Sequence, residues 1–464
     1  MSKGHTIPLL HLAQLLLRHD VSLTLFTTKA NRPFITQFLH HHAADSISVI
    51  DLPFPSDVEG IPQGIESTDK LPSMSVFWQF VTATKHMQPH FEQALNNLSG
   101  VITCIVSDGF LSWTLESANK LGIPRLSFFG MSGYSTAVAL EVGTNRLLSR
   151  PESDDDLITV TRFPWIKVTR NDFDKPFNQP DPTGPQQDLL MEVVIAMANS
   201  YGLIMNSFYE LEPLFIDYLN RKSNLKAWCA GPLCLAESGL TVLDHDQKPK
   251  WMEWLDEKLS QGRYVLYIAF GTQVEISTRQ LEAISKGLEE SGVNFMWVVR
   301  KCESEVMSHV NIVDELQERV GERGIIVREW VDQREILKHE SVKGFLSHCG
   351  LNSVMESICS EVPILAWPMM ADQHLNARMV VEEIKIGLRV ETCDGSVRGF
   401  VKSEGLKKMV KELMEGERGK EVRKKVMEVG KAAKKAMEKD GSSWRTLDEL
   451  IDDVQTFRNL NRVI

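Results

Sequence analysis

The sequence predicts an α/β protein that contains two doubly wound domains with parallel sheets. Three observations predict this class. Short runs rich in β-branched residues alternate with helical patterns through both halves of the chain. A polar stretch without periodicity, residues 237–250, lies between the halves. Polar side chains follow several predicted strands, at the sheet edge where ligands bind in α/β proteins.

In the N-terminal half, a helix is predicted from about residue 7 to residue 18, and strands are predicted at 21–27, 47–52, 101–106, 125–129 and 203–205. Helical patterns between the strands indicate parallel pairing through crossover connections. No G-x-G-x-x-G motif follows any of these strands, which argues against a nicotinamide dinucleotide domain.

The C-terminal half has predicted strands at 264–270, 295–299, 325–328, 343–347, 362–366 and 387–390, followed by long charged helices. Residues 442–457 have helical spacing at Trp444, Leu447, Leu450, Ile451 and Val454. We therefore predict a domain at 1-235, a linker at 236-250, a second domain at 251-440 and a C-terminal helix at 441-464.

Composition excludes several classes of function. The net charge of −11 argues against a nucleic-acid partner. Seven cysteines without paired CxxC spacing favour reduced thiols and a cytoplasmic location. The sequence has no run of about 18 uninterrupted apolar residues, so no membrane span is expected. Residues 7–17 are apolar but contain His11 and Gln14, so they predict an amphipathic helix rather than a signal peptide.

Residues 330–373 carry the strongest functional pattern, because their polar residues follow three consecutive predicted strands. These residues are Trp330 after the first strand, His348, Asn352 and Ser353 after the second, and Asp372 and Gln373 after the third. Helix N-termini attract phosphate, and Gly350 would let backbone approach a ligand closely. An indole could stack on a base, and a carboxylate could hold ribose hydroxyls. The set suggests a site for a base, a ribose, a diphosphate and a further polyol.

Each residue also has a structural interpretation. Ser353 and Glu356 fit a helix capping box, and Asp372 fits a helix cap. Trp330 alone is more often a core or interface residue than a platform for a base. Only the arrangement on consecutive strand ends favours a binding site.

This stretch resembles the signature box of plant family-1 UDP-sugar glycosyltransferases, enzymes of plant secondary metabolism. It has the box's length, its first Trp, its final Asp-Gln and its HCG-x-NS-x-x-E core, here His348, Cys349, Gly350, Asn352, Ser353 and Glu356. Other matching motifs are Gly4-His5 with Pro8, Val106-Ser107-Asp108 and Phe270-Gly271-Thr272. The resemblance implies the GT-B fold, in which two Rossmann-like domains face a cleft and the last helix returns to the first domain.

The resemblance also implies a role for each donor-site residue. Trp330 would stack on uracil, the backbone of Val331 would bind it, and Gln333 and Glu356 would hold the ribose. His348, Asn352, Ser353 and Thr272 would contact the diphosphate, with close backbone approach at Gly350. Asp372 and Gln373 would hold the sugar, with Gln typical of members that prefer glucose. Leu351 departs from the family's usual Trp, so an indole wall beside the sugar is lost while its backbone contact is kept.

Sugar transfer to a hydroxyl needs a general base, and histidine is suited to this at neutral pH. The resemblance makes His5 the base and Asp108 the carboxylate that orients it. Taken alone, His5 fits a loop histidine near a helix start and Asp108 fits a turn before glycine. The implied reaction is inverting transfer from UDP-glucose to a small lipophilic acceptor. We expect no metal and no cofactor, and we interpret His40–His42 and His245 as parts of solvated loops.

The resemblance places Met1 at an internal position of the family pattern. We therefore expect the family's first strand, which precedes the catalytic histidine, to be missing, with neighbouring strands unpaired. An alternative function follows, a UDP-sugar-binding protein with impaired catalysis. Residues 71–80 and 132–147 are expected to line the acceptor pocket, whose ligand the sequence leaves open. We expect a monomer.

Overall fold

The computed structural model describes residues 2–39, 46–222, 226–236, 248–271, 276–299 and 307–461. The strands in this part of the chain are β1 Leu23–Thr27, β2 Ile47–Asp51, β3 Ile105–Asp108, β4 Arg125–Phe128, β5 Ile158–Thr159, β6 Lys167–Val168, β7 Gly202–Met205, β8 Lys226–Cys229, β9 Val265–Ala269, β10 Asn294–Val298, β11 Gly324–Val327, β12 Val342–Ser347, β13 Ile364–Ala366 and β14 Gly387–Arg389.

The α-helices in the described ranges are α1 Lys3–Arg18, α2 Arg32–Leu39, α3 Phe77–Thr84, α4 Gln88–Asn96, α5 Thr114–Lys120, α6 Gly133–Thr144, α7 Pro185–Ala198, α8 Pro213–Lys222, α9 Lys250–Ser260, α10 Thr278–Ser291, α11 Met307–Val320, α12 Gln333–Lys338, α13 Leu351–Cys359, α14 Gln373–Arg378, α15 Ser403–Glu415, α16 Glu417–Met437 and α17 Ser442–Asn461. A short π-helix, Met379–Glu383, continues α14.

The chain divides into two compact units. Unit 1 contains Met1–Gly133, Pro182–Ser238 and Lys435–Ile464, and unit 2 contains Tyr134–Asp181 and Gly239–Lys434. Residues 134–181, which we predicted within the domain 1-235, therefore belong to unit 2. The reason is non-local, because Asp172 and Arg378 form a buried ion pair. Most of the predicted linker lies outside the described residues.

In the described part of unit 2, a parallel sheet has the strand order β11-β10-β9-β12-β13-β14, and β5 pairs antiparallel with β6. Strand β9 is buried along its whole length, as expected for a parallel strand covered on both faces. The chain turns from β9 to β10 on one side and places β12 on the other, so the topological switch point lies at the carboxyl ends of β9 and β12. Ligands bind at such points.

In the described part of unit 1, the parallel strands lie in two sheets. One sheet pairs β1 with β2, and the other has the order β3-β4-β7-β8. Among the described residues, β1 pairs only with β2 and β3 pairs only with β4. The α/β layout with parallel strands that we predicted for this half is therefore confirmed, with its described strands divided between two sheets.

The last helix lies in unit 1, where Leu447, Leu450 and Val454 share a core cluster with Leu12 and Leu15 of α1. Helix α1 begins at Lys3, earlier than predicted, because the N–H groups of His5 and Thr6 bond to the carbonyl of Ser2. His5 is therefore a first-turn helical residue and not a loop residue. Packing of α1 against α17 and the sheet fixes the helix that carries it.

Candidate active site

A histidine and a carboxylate meet in unit 1. His5 Nδ1 lies 2.6 Å from Asp108 Oδ2, and Asp108 Oδ1 accepts from the N–H of Phe110 at 2.9 Å. Burial opposes ionisation of Asp108, but the charge of His5 and these hydrogen bonds hold its pKa below the ordinary value. An ionised Asp108 accepts the Nδ1 proton, and this tautomer puts the basic lone pair of His5 on Nε2.

Arg125 binds the backbone of Asp108 and the hydroxyl groups around it, and sequence reasoning missed this residue. Its side chain is buried and donates to the hydroxyls of Ser107, Thr114 and Ser200 and to the backbone carbonyl of Asp108, at 3.0, 3.2, 2.7 and 3.2 Å. Burial lowers the pKa of Arg125 to about 10, and nearby Asp108 opposes this change. The only sequence signal is a cation inside an apolar strand.

A group of half-buried aromatic rings lies beside His5, which contacts it through Phe110. The ring of Phe110 lies 5.9 Å from the imidazole, and the rings of Phe77, Trp78 and Phe129 lie 5.3, 6.3 and 5.9 Å from that of Phe110. Such rings provide a large apolar contact area. They make the surroundings of the imidazole suitable for a lipophilic molecule.

Unit 2 places His348 at the switch point, directly after β12. A Cβ atom built on Gly271 or Gly350 would lie 2.9 or 2.7 Å from His348 Nε2, so both glycines make room for the imidazole. Gly271 also has a φ of +82°, which favours glycine. Burial lowers the pKa of His348 to about 4, so the ring is neutral at pH 7. A neutral imidazole can donate one N–H to a ligand.

Gln333, which follows the exposed Trp330 closely in the sequence, lies at the centre of a polar cluster. Gln333 Nε2 donates to Glu356 Oε2 at 2.6 Å and to Ser353 Oγ at 2.9 Å. The hydroxyl of Tyr267 donates to Gln333 Oε1 at 3.1 Å. Burial raises the pKa of Glu356 to about 7, although the hydrogen bond from Gln333 opposes this change. The structure thus brings Gln333 and Glu356 together, and it adds Tyr267, which sequence reasoning missed.

The first turn of α13 carries the predicted diphosphate residues. Gly350 is the N-cap, and Leu351, Asn352 and Ser353 are the first helical residues. No acidic residue occupies this turn, so the partial positive charge of the helix N-terminus is not neutralised locally. Leu351 is buried, with 4% exposure. Its backbone forms part of this first turn.

The sugar-binding candidates open α14. Asp372 Oδ2 accepts from Asn376 Nδ2 at 2.8 Å. Gln373 Oε1 accepts from the N–H groups of Met369 and Met370 at 3.1 Å each. The carbonyl end of Gln373 is therefore bound to backbone, and its amide nitrogen is the end that can donate to a ligand.

Some predicted residues lie outside the described part of the chain. These are Thr272 and the histidines of the two predicted solvated loops, His40–His42 and His245. Val331 is described and lies half-buried between Trp330 and α12. All remaining candidates are placed, with His5 and Asp108 in unit 1 and the others in unit 2.

Comparison with known proteins supplies the family. Residues 236–435 match the family described as "UDP-glucoronosyl and UDP-glucosyl transferase". The chain is 52% identical to UDP-glycosyltransferase 90A1 of Arabidopsis thaliana over 470 residues, which cover 99% of this chain and 96% of that protein. The chain belongs to the plant family-1 UDP-glycosyltransferases. The scopoletin glucosyltransferase of Nicotiana tabacum is 32% identical over 98% of this chain and 97% of its own length.

Solved structures agree with this assignment. Glycyrrhiza uralensis UGT73P12 complexed with glycyrrhetinic acid 3-O-monoglucuronide matches with a TM-score of 0.88 and 28% identity, covering 100% of this chain and 95% of that chain. Phytolacca americana UGT2 complexed with UDP-2fluoro-glucose and pterostilbene matches with a TM-score of 0.77 and 26% identity, covering 97% of each chain. The UDP-glycosyltransferase therefore has the GT-B fold.

Family membership makes the protein an enzyme that transfers a glycosyl group from a UDP-sugar to an acceptor. The stretch that resembles the family's signature box, residues 330–373, lies within the matched region. Among the helices of the described ranges, none combines the length and the apolar character needed to cross a membrane.

Proposed function

We propose that this UDP-glycosyltransferase transfers glucose from UDP-glucose to a hydroxyl of a small lipophilic acceptor, with inversion at the anomeric carbon. The observation that carries the proposal is the 2.6 Å contact between His5 and Asp108. A base of this kind fits an alcohol nucleophile, since the hydroxyl becomes reactive as its proton is removed.

In the proposed reaction, His5 Nε2 takes the acceptor proton while the acceptor oxygen attacks the anomeric carbon from the face opposite UDP. The carbon–oxygen bond to the diphosphate breaks, and UDP leaves with the bonding electron pair. Asp108 stabilises the imidazolium that forms, because it is ionised and bonded to Nδ1. Attack by the acceptor inverts an α-linked donor into a β-glycoside without a covalent glycosyl-enzyme.

The donor is assigned to the residues of unit 2. Uracil stacks on Trp330 and bonds to the backbone of Val331, and the ribose lies against Gln333 and Glu356. The half-exposed indole and the paired amide and carboxylate support this assignment. These contacts hold the nucleoside, which leaves the diphosphate directed at α13.

The diphosphate is assigned to the N-terminus of α13, with Asn352, Ser353, the backbone at Gly350 and Leu351, His348 and Thr272. His348, which is neutral at pH 7, donates an N–H hydrogen bond to the leaving oxygen. Unpaired N–H groups and the helix dipole stabilise the charge that develops on UDP. UDP-glucose is a substrate, and the proposal includes no resident cofactor.

The sugar is assigned to Asp372 and Gln373. The carbonyl oxygen of Gln373 is occupied by two backbone N–H groups, which supports its amide nitrogen as the donor to a sugar hydroxyl. Several relatives are named glucosyltransferases, including a flavonoid 3-O-glucosyltransferase of Fragaria ananassa that is 32% identical. These observations support glucose as the donated sugar.

The aromatic rings beside His5 support a lipophilic acceptor, because they offer apolar contact within reach of the base. The acceptor hydroxyl has to reach Nε2 at hydrogen-bond distance. A cytoplasmic location and a monomeric state complete the proposal, on the basis of the cysteine usage and composition.

The test is to incubate the purified protein with UDP-glucose or UDP-galactose and a panel of lipophilic alcohols and phenols, measuring UDP release and product mass. The expected product gains one hexose in the β configuration, and His5→Ala slows its formation roughly 10²–10⁴-fold. His90→Ala, at an exposed histidine of the same unit, is the matched control. UDP binding without any product, or a His5→Ala variant as fast as wild type, would contradict the proposal.

A further inference from the structure

Residues 171–174, called here the 171–174 loop, follow strand β6 and lie within unit 2. None of the motifs that identify the donor site falls in this loop. Its side chains nevertheless contact both ends of α14, the helix that starts with the sugar-binding candidate Gln373.

At the C-terminal end of α14, Asp172 binds Arg378. Arg378 Nε and Nη2 donate to the two carboxylate oxygens at 2.9 Å each, and the Asp172 side chain is fully buried. Bidentate pairs of this kind fix relative orientation as well as distance. The loop is therefore anchored to α14.

At the N-terminal end of α14, Asp174 binds the turn that precedes the helix. Its Oδ2 accepts from the backbone N–H of Ala371, and its Oδ1 accepts from Arg398 Nη2, both at 2.5 Å. Arg398 also donates to the carbonyls of Asn171 and Phe173, at 2.8 and 3.0 Å. Arg398 thus fixes the orientation of the Asp174 carboxylate.

Ala371 needs this support, because its φ is +52°. Residues other than glycine are strained in this left-handed region, which short polar or capping contacts must stabilise. Asp372 and Gln373 follow immediately, so the conformation of Ala371 sets the direction of both side chains.

We infer that Asp174 is a positioning residue for the donor sugar, acting through the turn at Ala371. The inference rests on the proposed function, in which Asp372 and Gln373 hold the sugar. The nucleotide part of the donor is assigned to Trp330, Gln333 and other residues outside this turn. Asp174 therefore affects recognition of the sugar and leaves recognition of UDP unchanged.

The experiment compares Asp174→Ala, Asp174→Asn, Gln373→Ala and the control Asp154→Ala. Asp154 is an exposed carboxylate of the same segment that pairs with Arg170. UDP affinity is measured by titration calorimetry, and the KM for UDP-glucose is measured with a saturating acceptor. Thermal denaturation confirms that each variant is folded.

In Asp174→Ala, the KM for UDP-glucose rises about tenfold, as expected for loss of a hydrogen bond to a charged acceptor. The Kd for UDP stays within about twofold of wild type, because the nucleotide contacts lie elsewhere. Asp174→Asn retains an acceptor oxygen for Ala371 and recovers part of the loss. Asp154→Ala changes neither quantity.

If a folded Asp174→Ala variant shows equal rises in the Kd for UDP and in the KM for UDP-glucose, the inference is overturned, because the effect is then a general structural one. An unchanged KM in Asp174→Ala, together with a raised KM in Gln373→Ala, would overturn the inference about Asp174. The proposed sugar contact of Gln373 would stand. An unchanged KM in Gln373→Ala would overturn the proposed sugar contact, and the inference with it.

Discussion

Replacement of Glu356 by Gln tests the ribose site through its pH dependence. Glu356 is partly buried and accepts a hydrogen bond from neutral Gln333. Burial raises its pKa from 4.5 to about 7 in the unliganded protein. If ribose hydroxyls donate to this group, UDP binds best to the ionised carboxylate, and binding at neutral pH releases protons.

The magnitude follows from the titration. With a pKa of about 7, about nine tenths of the protein carries ionised Glu356 at pH 8, and about one tenth does at pH 6. The Kd for UDP is therefore expected to rise about tenfold between pH 8 and pH 6. The terminal phosphate of UDP titrates at roughly pH 6 and adds about a factor of two. The Glu356→Gln variant retains only this smaller factor.

The folding stability of the unliganded protein also depends on the ionisation of Glu356. Because the folded-state pKa of Glu356 lies above the unfolded value, its contribution favours folding below about pH 4.5 and is lost as the pH rises through about 7. The loss amounts to about 3 kcal/mol, from the difference between 4.5 and about 7. Glu356→Gln therefore stabilises the unliganded protein relative to wild type at pH 8 and has little effect at pH 4.5.

The assay is titration calorimetry with UDP from pH 5.5 to 8.5 in buffers of different ionisation enthalpy, together with urea unfolding midpoints at pH 4.5 and 8. Proton release is expected for wild type near pH 7 and is absent in the variant once the phosphate is accounted for. Equal pH slopes of the UDP Kd for the two proteins would refute the assignment of Glu356 to the ribose.

Three further predictions test other parts of the proposal. His5→Ala lowers kcat roughly 10²–10⁴-fold and leaves the affinity for UDP unchanged. Steady-state kinetics and calorimetry measure these quantities, with His90→Ala as the control. A comparable fall of kcat in the control would contradict the role of His5 as the base. Leu351→Ala lowers stability by about 2–4 kcal/mol, yet the affinity of the folded variant for UDP changes less than threefold, because the proposed contact uses the backbone. Urea unfolding midpoints check the stability, and calorimetry checks the affinity. Loss of UDP binding in the folded variant would show that the side chain makes the contact. Arg125→Met removes the buried charged donor that bonds to three hydroxyls and to the Asp108 carbonyl. We expect it to lower stability by about 2–4 kcal/mol, and an unchanged urea midpoint would contradict that role.

The sheet of unit 2 was predictable because buried parallel strands form short continuous apolar runs. The prediction at 264–270 corresponds to β9, and that at 362–366 contains β13. Strand β8 was missed, since its four residues begin with lysine and carry little periodicity. The assignment of residues 134–181 to unit 2 could not be predicted either, because it depends on contacts such as that between Asp172 and Arg378, 206 positions apart.

In the candidate site, the position of a residue was predictable where it follows a strand end, and it was unpredictable where a distant partner orients the residue. His348 and Asp372 follow strands in a recognisable box, so their placement follows from the topology. Tyr267 and Arg125 contact the site from strands whose own sequences show only a polar atom in an apolar run. The pairing of His5 with Asp108 spans 103 positions and came from family resemblance, not from local pattern.

Asp108, which is buried, and Glu356, which is partly buried, differ in pKa for reasons that suit their proposed roles. Asp108 receives a hydrogen bond from the titratable imidazole of His5 and another from a backbone N–H, so it is ionised despite its burial. Glu356 receives one from the neutral amide of Gln333 and lies near Asp332, so burial dominates and raises its pKa. A carboxylate that stabilises an imidazolium must stay charged throughout turnover. One that binds neutral hydroxyls needs its charge only in the complex, so its unliganded form tolerates a proton at neutral pH.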